Sequence, residues 1–276
     1  KTVVTKDSIA PHSLFMARRH FSVVLCMQTV SAVCAFTTST GSVRQHWRRR
    51  SPLTATRSAT AASTPRAMEW YDGEIRRFVR MDRADSPPGG GVLFVGSSIF
   101  REWREMRDFA GDWSPIPVIN RAFGGSETTD QLQGEVMDAV VFPHAPRVLV
   151  YYCGSNDLNS GATPAEIRDN FKEWCSLSRR HLGPKVRVIF VSINRAPQKR
   201  PLWRALDDAN ALVEAYCRDA PHTRFVDVNG VLFDGAGQPR HDLYREDGLH
   251  FHPQAYDEIL TVLRGAVEEA WGEAVA

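Results

Sequence analysis

A chain of 276 residues is too long for one small domain and too short for two large ones. With 43% hydrophobic and 24% charged residues it has the make-up of an ordinary globular protein, not of a fibrous or disordered one. Its net charge of +2 hides an asymmetry: residues 1–68 carry ten Lys/Arg and one acid, Asp7, whereas the remainder carries 24 basic and 31 acidic residues. The part expected to fold is therefore acidic, which excludes nucleic-acid binding through bulk charge.

The front end reads as an address. Met16-Ala-Arg-Arg-His20 precedes an apolar run from Phe21 to Phe36 that closes on the small residues Ala32-Val-Cys-Ala35. This is the pattern of a secretory signal over about 16–35, and the run is too short and too polar to span a membrane. A Ser/Thr/Arg-rich stretch without acids follows over 36–66, the composition of an organelle transit peptide. A signal followed by a transit segment that begins at Phe36 resembles the two-part presequences of plastids with extra envelope membranes; simple secretion and mitochondrial import are the alternatives. The expected division is thus a disordered targeting segment over 1–66 and a folded domain over 67–276. Of the five cysteines, Cys26 and Cys34 fall in the targeting segment. Cys153, Cys175 and Cys217 form no C-x-x-C pair, so neither a disulfide scaffold nor a zinc site is indicated.

From Met68 to Met81, Trp70, Ile75, Phe78 and Val79 recur at helical spacing, and Ser86–Gly91 is a linker. Val92-Leu-Phe-Val-Gly96 is the first strand, and Gly96 sits where strand turns into helix. Ile99, Trp103 and Met106 predict an amphipathic helix over 99–109. A second strand, Pro117-Val118-Ile119, ends at Asn120-Arg-Ala-Phe-Gly124-Gly125, after which Thr128 or Thr129 is expected to cap a helix through Leu132, Val136 and Val140. The apolar run 147–153 is a third strand, continuous as expected for one covered on both faces, and breaks at Gly154. Thr163-Pro-Ala-Glu166 is a capping box opening a helix through Ile167, Phe171, Trp174 and Leu177. A fourth strand over 186–192, a helix from about Leu202 to Cys217, a short strand over 224–228 and a Pro253-started last helix complete the chain. Strands alternating with helices argue one doubly wound α/β sandwich around a parallel sheet of about five strands. In such sheets, sites form at the carboxyl ends of the strands.

Four stretches at those ends carry chemistry. Ser97 and Ser98 lie in the first turn of a helix, where free amides and the helix dipole favour negative charge. Either could simply cap the helix. Gly124-Gly125 can present a backbone N–H, and Gly154-Ser-Asn156-Asp157 offers a side-chain amide, although Asn-Asp after a strand is also a common turn. Asp247-Gly-Leu-His250 places a carboxylate three residues before an imidazole, a spacing that lets the acid hold Nδ1–H while Nε2 faces outward. His252 is the rival base, and without an acid at that spacing it reads as a neighbouring wall or cap.

These four blocks, in this order, resemble those of the SGNH (GDSL) hydrolases, flavodoxin-like three-layer α/β/α esterases and lipases. The resemblance covers about residues 69–272 and is strongest to the small single-domain branch of platelet-activating-factor acetylhydrolase-type and carbohydrate esterases. It implies Ser98 as nucleophile, His250 as base and Asp247 as its partner, with an oxyanion hole formed by the Ser98 amide, the Gly125 amide and the Asn156 side chain. Gly124 could serve in place of Gly125. Ser97 departs from the Asp that the family often has there.

No Gly-x-Ser-x-Gly elbow, Walker loop or Gly-x-Gly-x-x-Gly occurs, and no His/Cys/Asp cluster has metal-ligand spacing, so no cofactor or metal is expected. The expected partner is a small-molecule ester, an acylated sugar or lipid, with acetyl-like groups favoured because no lid or long apolar insertion is evident. Arg195 and Trp203, in the loop after strand four, are candidate substrate contacts, with His252 as a third; a solvated loop with a packed Trp is the alternative. A lysophospholipase or thioesterase acting on plastid lipids, and a non-catalytic carbohydrate- or lipid-binding module on the same fold, are the competing functions.

Overall fold

The structure, a computed structural model, describes residues 70–276; the targeting-segment reading and the boundary at 66/67 lie outside the described residues. Five strands build one sheet: β1 Val92–Gly96, β2 Val118–Asn120, β3 Val148–Tyr152, β4 Arg187–Val191 and β5 Thr223–Val226. Every pairing is parallel and the order is β2-β1-β3-β4-β5. The chain therefore leaves β1 for β2 on one side and returns to place β3 on the other. That reversal opens a crevice between the carboxyl ends of β1 and β3.

The strands alternate between two packed faces. Val92, Phe94, Val148, Val150 and Tyr152 face α2 (Ser98–Met106), α3 (Phe109–Trp113) and the last helix, α9 (Pro253–Val275). Leu93, Val95, Leu149, Tyr151 and Cys153 face the opposite layer, which includes α1 (Asp72–Ala84), α7 (Pro164–Leu182) and α8 (Trp203–Asp219). The expected α/β/α sandwich is thus present. Phe94 lies 5.3 Å from Phe100 and 5.0 Å from Phe109, and Trp103 stacks on Tyr256 at 4.8 Å. Burying each such ring contributes roughly 2–3 kcal/mol. The cluster fastens α2, the helix that starts at Ser98, to the sheet and to α9.

Three expectations change in detail. The predicted helix over 99–109 ends at Met106; Asp108 then accepts a hydrogen bond from the Gly111 amide and caps the separate α3. The first helix begins at Asp72, which leaves Trp70 outside it. The helix expected from Thr128/Thr129 to Val140 is two: α4 (Thr128–Gln131) and α5 (Gly134–Val140), parted by Gln133 in an extended conformation. Its cap is Glu127 in a reciprocal box with Asp130, because Thr128 is buried and engaged elsewhere. The box over Thr163–Glu166 and the proline start of α9 are as expected.

Candidate active site

Gly96 is the hinge on which the site turns. Its φ is +131°, and a Cβ there would sit 1.8 Å from the Tyr152 carbonyl oxygen of the neighbouring strand. Only glycine lets β1 approach β3 this closely and then turn into α2. The Ser97 amide donates to the Tyr152 carbonyl at 3.0 Å and its side chain is buried, whereas Ser98 is partly exposed as the first residue of α2. The two serines are thereby distinguished: Ser97 faces the core and Ser98 the crevice.

His250 Nε2 lies 3.0 Å from Ser98 Oγ, and His250 Nδ1 lies 2.6 Å from Asp247 Oδ2. The second oxygen, Asp247 Oδ1, accepts from the backbone amides of Leu249 and His250, both at 2.9 Å. Burial pushes the Asp247 carboxyl up, but the hydrogen bonds from His250 and the two amides outweigh it and hold the group at about 2. An ionised carboxylate can only accept, so Nδ1 carries a proton and donates a hydrogen bond to Asp247, which leaves Nε2 facing the Ser98 hydroxyl. The turn that presents these groups is closed by Arg245 N–H donating to the His250 carbonyl and by Gly248 in the left-handed region at φ +64°.

The opposite wall comes from β3 and from the loop after β2. Gly154 (φ +127°) starts α6 (Ser155–Asn159), and Asn156 Nδ2 donates to the Ser126 carbonyl at 3.0 Å. Ser126 Oγ in turn donates to the Gly96 carbonyl at 3.1 Å. Asp157 Oδ1 accepts from the Thr128 amide at 2.9 Å and from the Thr128 hydroxyl, to which Asn170 also donates at 2.8 Å. Burial raises the Asp157 carboxyl, and the Thr128 hydrogen bonds oppose that rise. Asn156 is thus set by a buried polar seam linking the ends of β1, β2 and β3. Gly125 has φ +72°, and Gly124 abuts the Arg101 guanidinium so closely that a Cβ would lie 2.2 Å from Nη1.

Not every sequence candidate joins this group. Arg195 packs its guanidinium 4.5 Å from the Phe233 ring centroid, its Nε is 3.6 Å from Asp207 Oδ1, and its amide donates to Asn229. Trp203 donates its indole N–H to the Ala196 carbonyl at 2.9 Å. His252 is the N-cap residue of α9, exposed, with its amide donating to Leu243. None of these contacts is to Ser98 or His250.

One neighbour escaped sequence reasoning. The buried Glu102, one turn after Ser98 on α2, has Oε1 3.6 Å from His250 Nε2 and 3.0 Å from Arg101 Nη2; Oε2 pairs with Arg245. The available signal was a carboxylate at i+4 from the serine and an arginine two residues before Asp247. Among the described residues no group of three or more His, Cys, Asp or Glu could hold a metal, and no helix is long and apolar enough to cross a membrane.

A partly exposed serine at a strand-to-helix turn, bonded to a carboxylate-oriented histidine, is the arrangement of a carboxylic ester hydrolase, and the protein is one. More narrowly, the chain belongs to the GDSL-like lipase/acylhydrolase family, whose sequence model matches residues 94–258. Its fold is similar to that of a GDSL-like lipase from Bacteroides thetaiotaomicron, with 21% identity and a TM-score of 0.59 over 71% of this chain and 98% of that one. It is also similar to a carbohydrate esterase of family 3 from Talaromyces cellulolyticus, with 16% identity and a TM-score of 0.52 over 67% of this chain and 99% of that one. No curated protein matches the chain by sequence.

Proposed function

We propose that the protein hydrolyses a small, acetyl-like acyl ester, with Ser98 as nucleophile. The reading rests above all on the unbroken row from Asp247 through His250 to Ser98, with contacts of 2.6 and 3.0 Å. His250 Nε2 takes the Ser98 proton as Oγ attacks the ester carbonyl, and Asp247 holds the imidazolium that forms. The tetrahedral oxyanion is met by the Ser98 and Gly125 amides and by the Asn156 N–H that does not bond to Ser126. His250 returns the proton to the departing alcohol, leaving an acyl ester on Ser98. Water, activated by the same imidazole, then releases the acid.

The small-acyl preference is supported by the brevity of the segments around Ser98: a glycine turn after β1, a four-residue α4 and a five-residue α6, with no inserted lid among the described residues. Initial rates on p-nitrophenyl esters from acetyl to palmitoyl, with acetylated glycans and lysolipids alongside, test the reading. Highest kcat/KM on acetyl supports it. A maximum on long chains or lysolipids replaces it with a lipase. The plastid address belongs to the same proposal, and the location of a fluorescent protein carrying residues 1–66 tests it.

A further inference from the structure

Trp70 is 61% exposed, more than any other large apolar side chain among the described residues. It is nevertheless fixed in place. Its ring meets the buried Tyr71 edge-on at 5.4 Å and lies 6.4 Å from the buried Phe123, and these two pack on each other at 5.2 Å. Its outer carbons reach the Gly125 backbone, so that a Cβ at Gly125 would fall 2.9 Å from Cη2. An indole anchored through one side and open to water on the other thus lies against Gly125, the glycine to which the reading above gives an oxyanion-hole amide, and leaves apolar surface uncovered there.

We propose that Trp70 is the platform on which the sugar ring of an acylated carbohydrate stacks while its ester reaches Ser98, an inference that rests on the esterase reading above. The surroundings decide the occupant. An acyl chain needs several contiguous apolar walls, whereas Trp70 offers a single aromatic plane. The segment that carries Gly125 is polar on either side: the Arg101 guanidinium lies against Gly124, and the Glu127 carboxylate, two residues past Gly125, accepts from the Ser160 hydroxyl. A pyranose matches that pattern: its C–H face lies on the ring and its hydroxyls meet the polar groups. The alcohol half of the ester also has to leave into solvent, which an open plane permits. Trp70 is thus a specificity-determining residue acting on the leaving group.

The test compares wild type, Trp70→Ala and Trp70→Phe on an O-acetylated methyl glucopyranoside and on ethyl acetate, followed by pH-stat. In Trp70→Ala the ratio of kcat/KM on the sugar ester to that on ethyl acetate falls about tenfold, chiefly through KM, and Trp70→Phe recovers most of it. An unchanged ratio overturns the inference, whether both activities fall together or neither falls. A loss that grows with acyl length at a fixed alcohol overturns it too, by assigning Trp70 to the acyl side. If wild type hydrolyses no ester, it is the esterase reading that fails. Trp70 is then judged by calorimetry of the acetylated glucopyranoside binding to otherwise wild-type protein, where Trp70→Ala must weaken affinity about tenfold.

Discussion

Around Asn156 the hydrogen bonds that define the site join residues distant in sequence: Thr128 with Asp157, Asn156 with Ser126, Ser126 with Gly96. Around His250 most of them close within five residues: Asp247 with Leu249 and His250, and Arg245 with Gly248 and His250. The first wall is buried and exists only when three strand ends are assembled. The second is a partly exposed turn shaped by its own backbone, tied to the sheet through Ser98 and Glu102. The proposed oxyanion hole therefore depends on the packed sheet, and the proposed proton transfer on local geometry.

Substitutions can break that division, in decreasing order of effect. Ser98 serves both halves in the proposed mechanism, so Ser98→Ala removes about 10⁴-fold or more of kcat on p-nitrophenyl acetate. His250→Ala does comparable damage, while His252→Ala stays within severalfold; equal losses at the two histidines would reassign the base. Asp247→Asn leaves the turn's backbone bonds an acceptor but no anion, and lowers kcat about 10³- to 10⁴-fold with little change in Tm. Asn156→Ala costs about 10²- to 10³-fold in kcat with KM nearly unchanged.

The buried seam answers differently. Asp157→Ala strands the Thr128 donors and costs about 1–3 kcal/mol, a fall in Tm of several degrees by calorimetry, together with kcat. Asp157→Asn, which keeps an accepting Oδ1, spares most of both. If Asp247→Asn lowered Tm as much as Asp157→Ala, the contrast between the walls would collapse.

The smallest effect is on stability against pH. The folded Asp247 carboxyl, held at about 2, lies below its ordinary value. Its contribution is fully present above about pH 4 and is lost as pH falls toward the folded value. Wild type should therefore lose slightly more stability than Asp247→Asn over that interval in a denaturant series at each pH. Parallel curves would mean the turn is not held electrostatically.

Much of this was legible in the chain itself because the signals are local. A strand ending at Gly96, the 163–166 capping box and the Asp247–His250 spacing each depend on neighbouring residues. What could not be read depends on distant ones. Thr128 looked like a cap because its partner Asp157 lies across the sheet, and α4 and α5 merged because the break at Gln133 leaves the apolar spacing intact. Glu102 came to His250 only through the return of α9. Arg195 and Trp203 looked available because the ring that holds Arg195, Phe233, belongs to a different loop.

The most direct measurement of the central claim is mass-spectrometric mapping of a fluorophosphonate adduct on the intact protein. The predicted result is a single modified residue, Ser98, with labelling lost in Ser98→Ala and retained in Ser97→Ala. An adduct that persists in Ser98→Ala would contradict the assignment and move the nucleophile elsewhere.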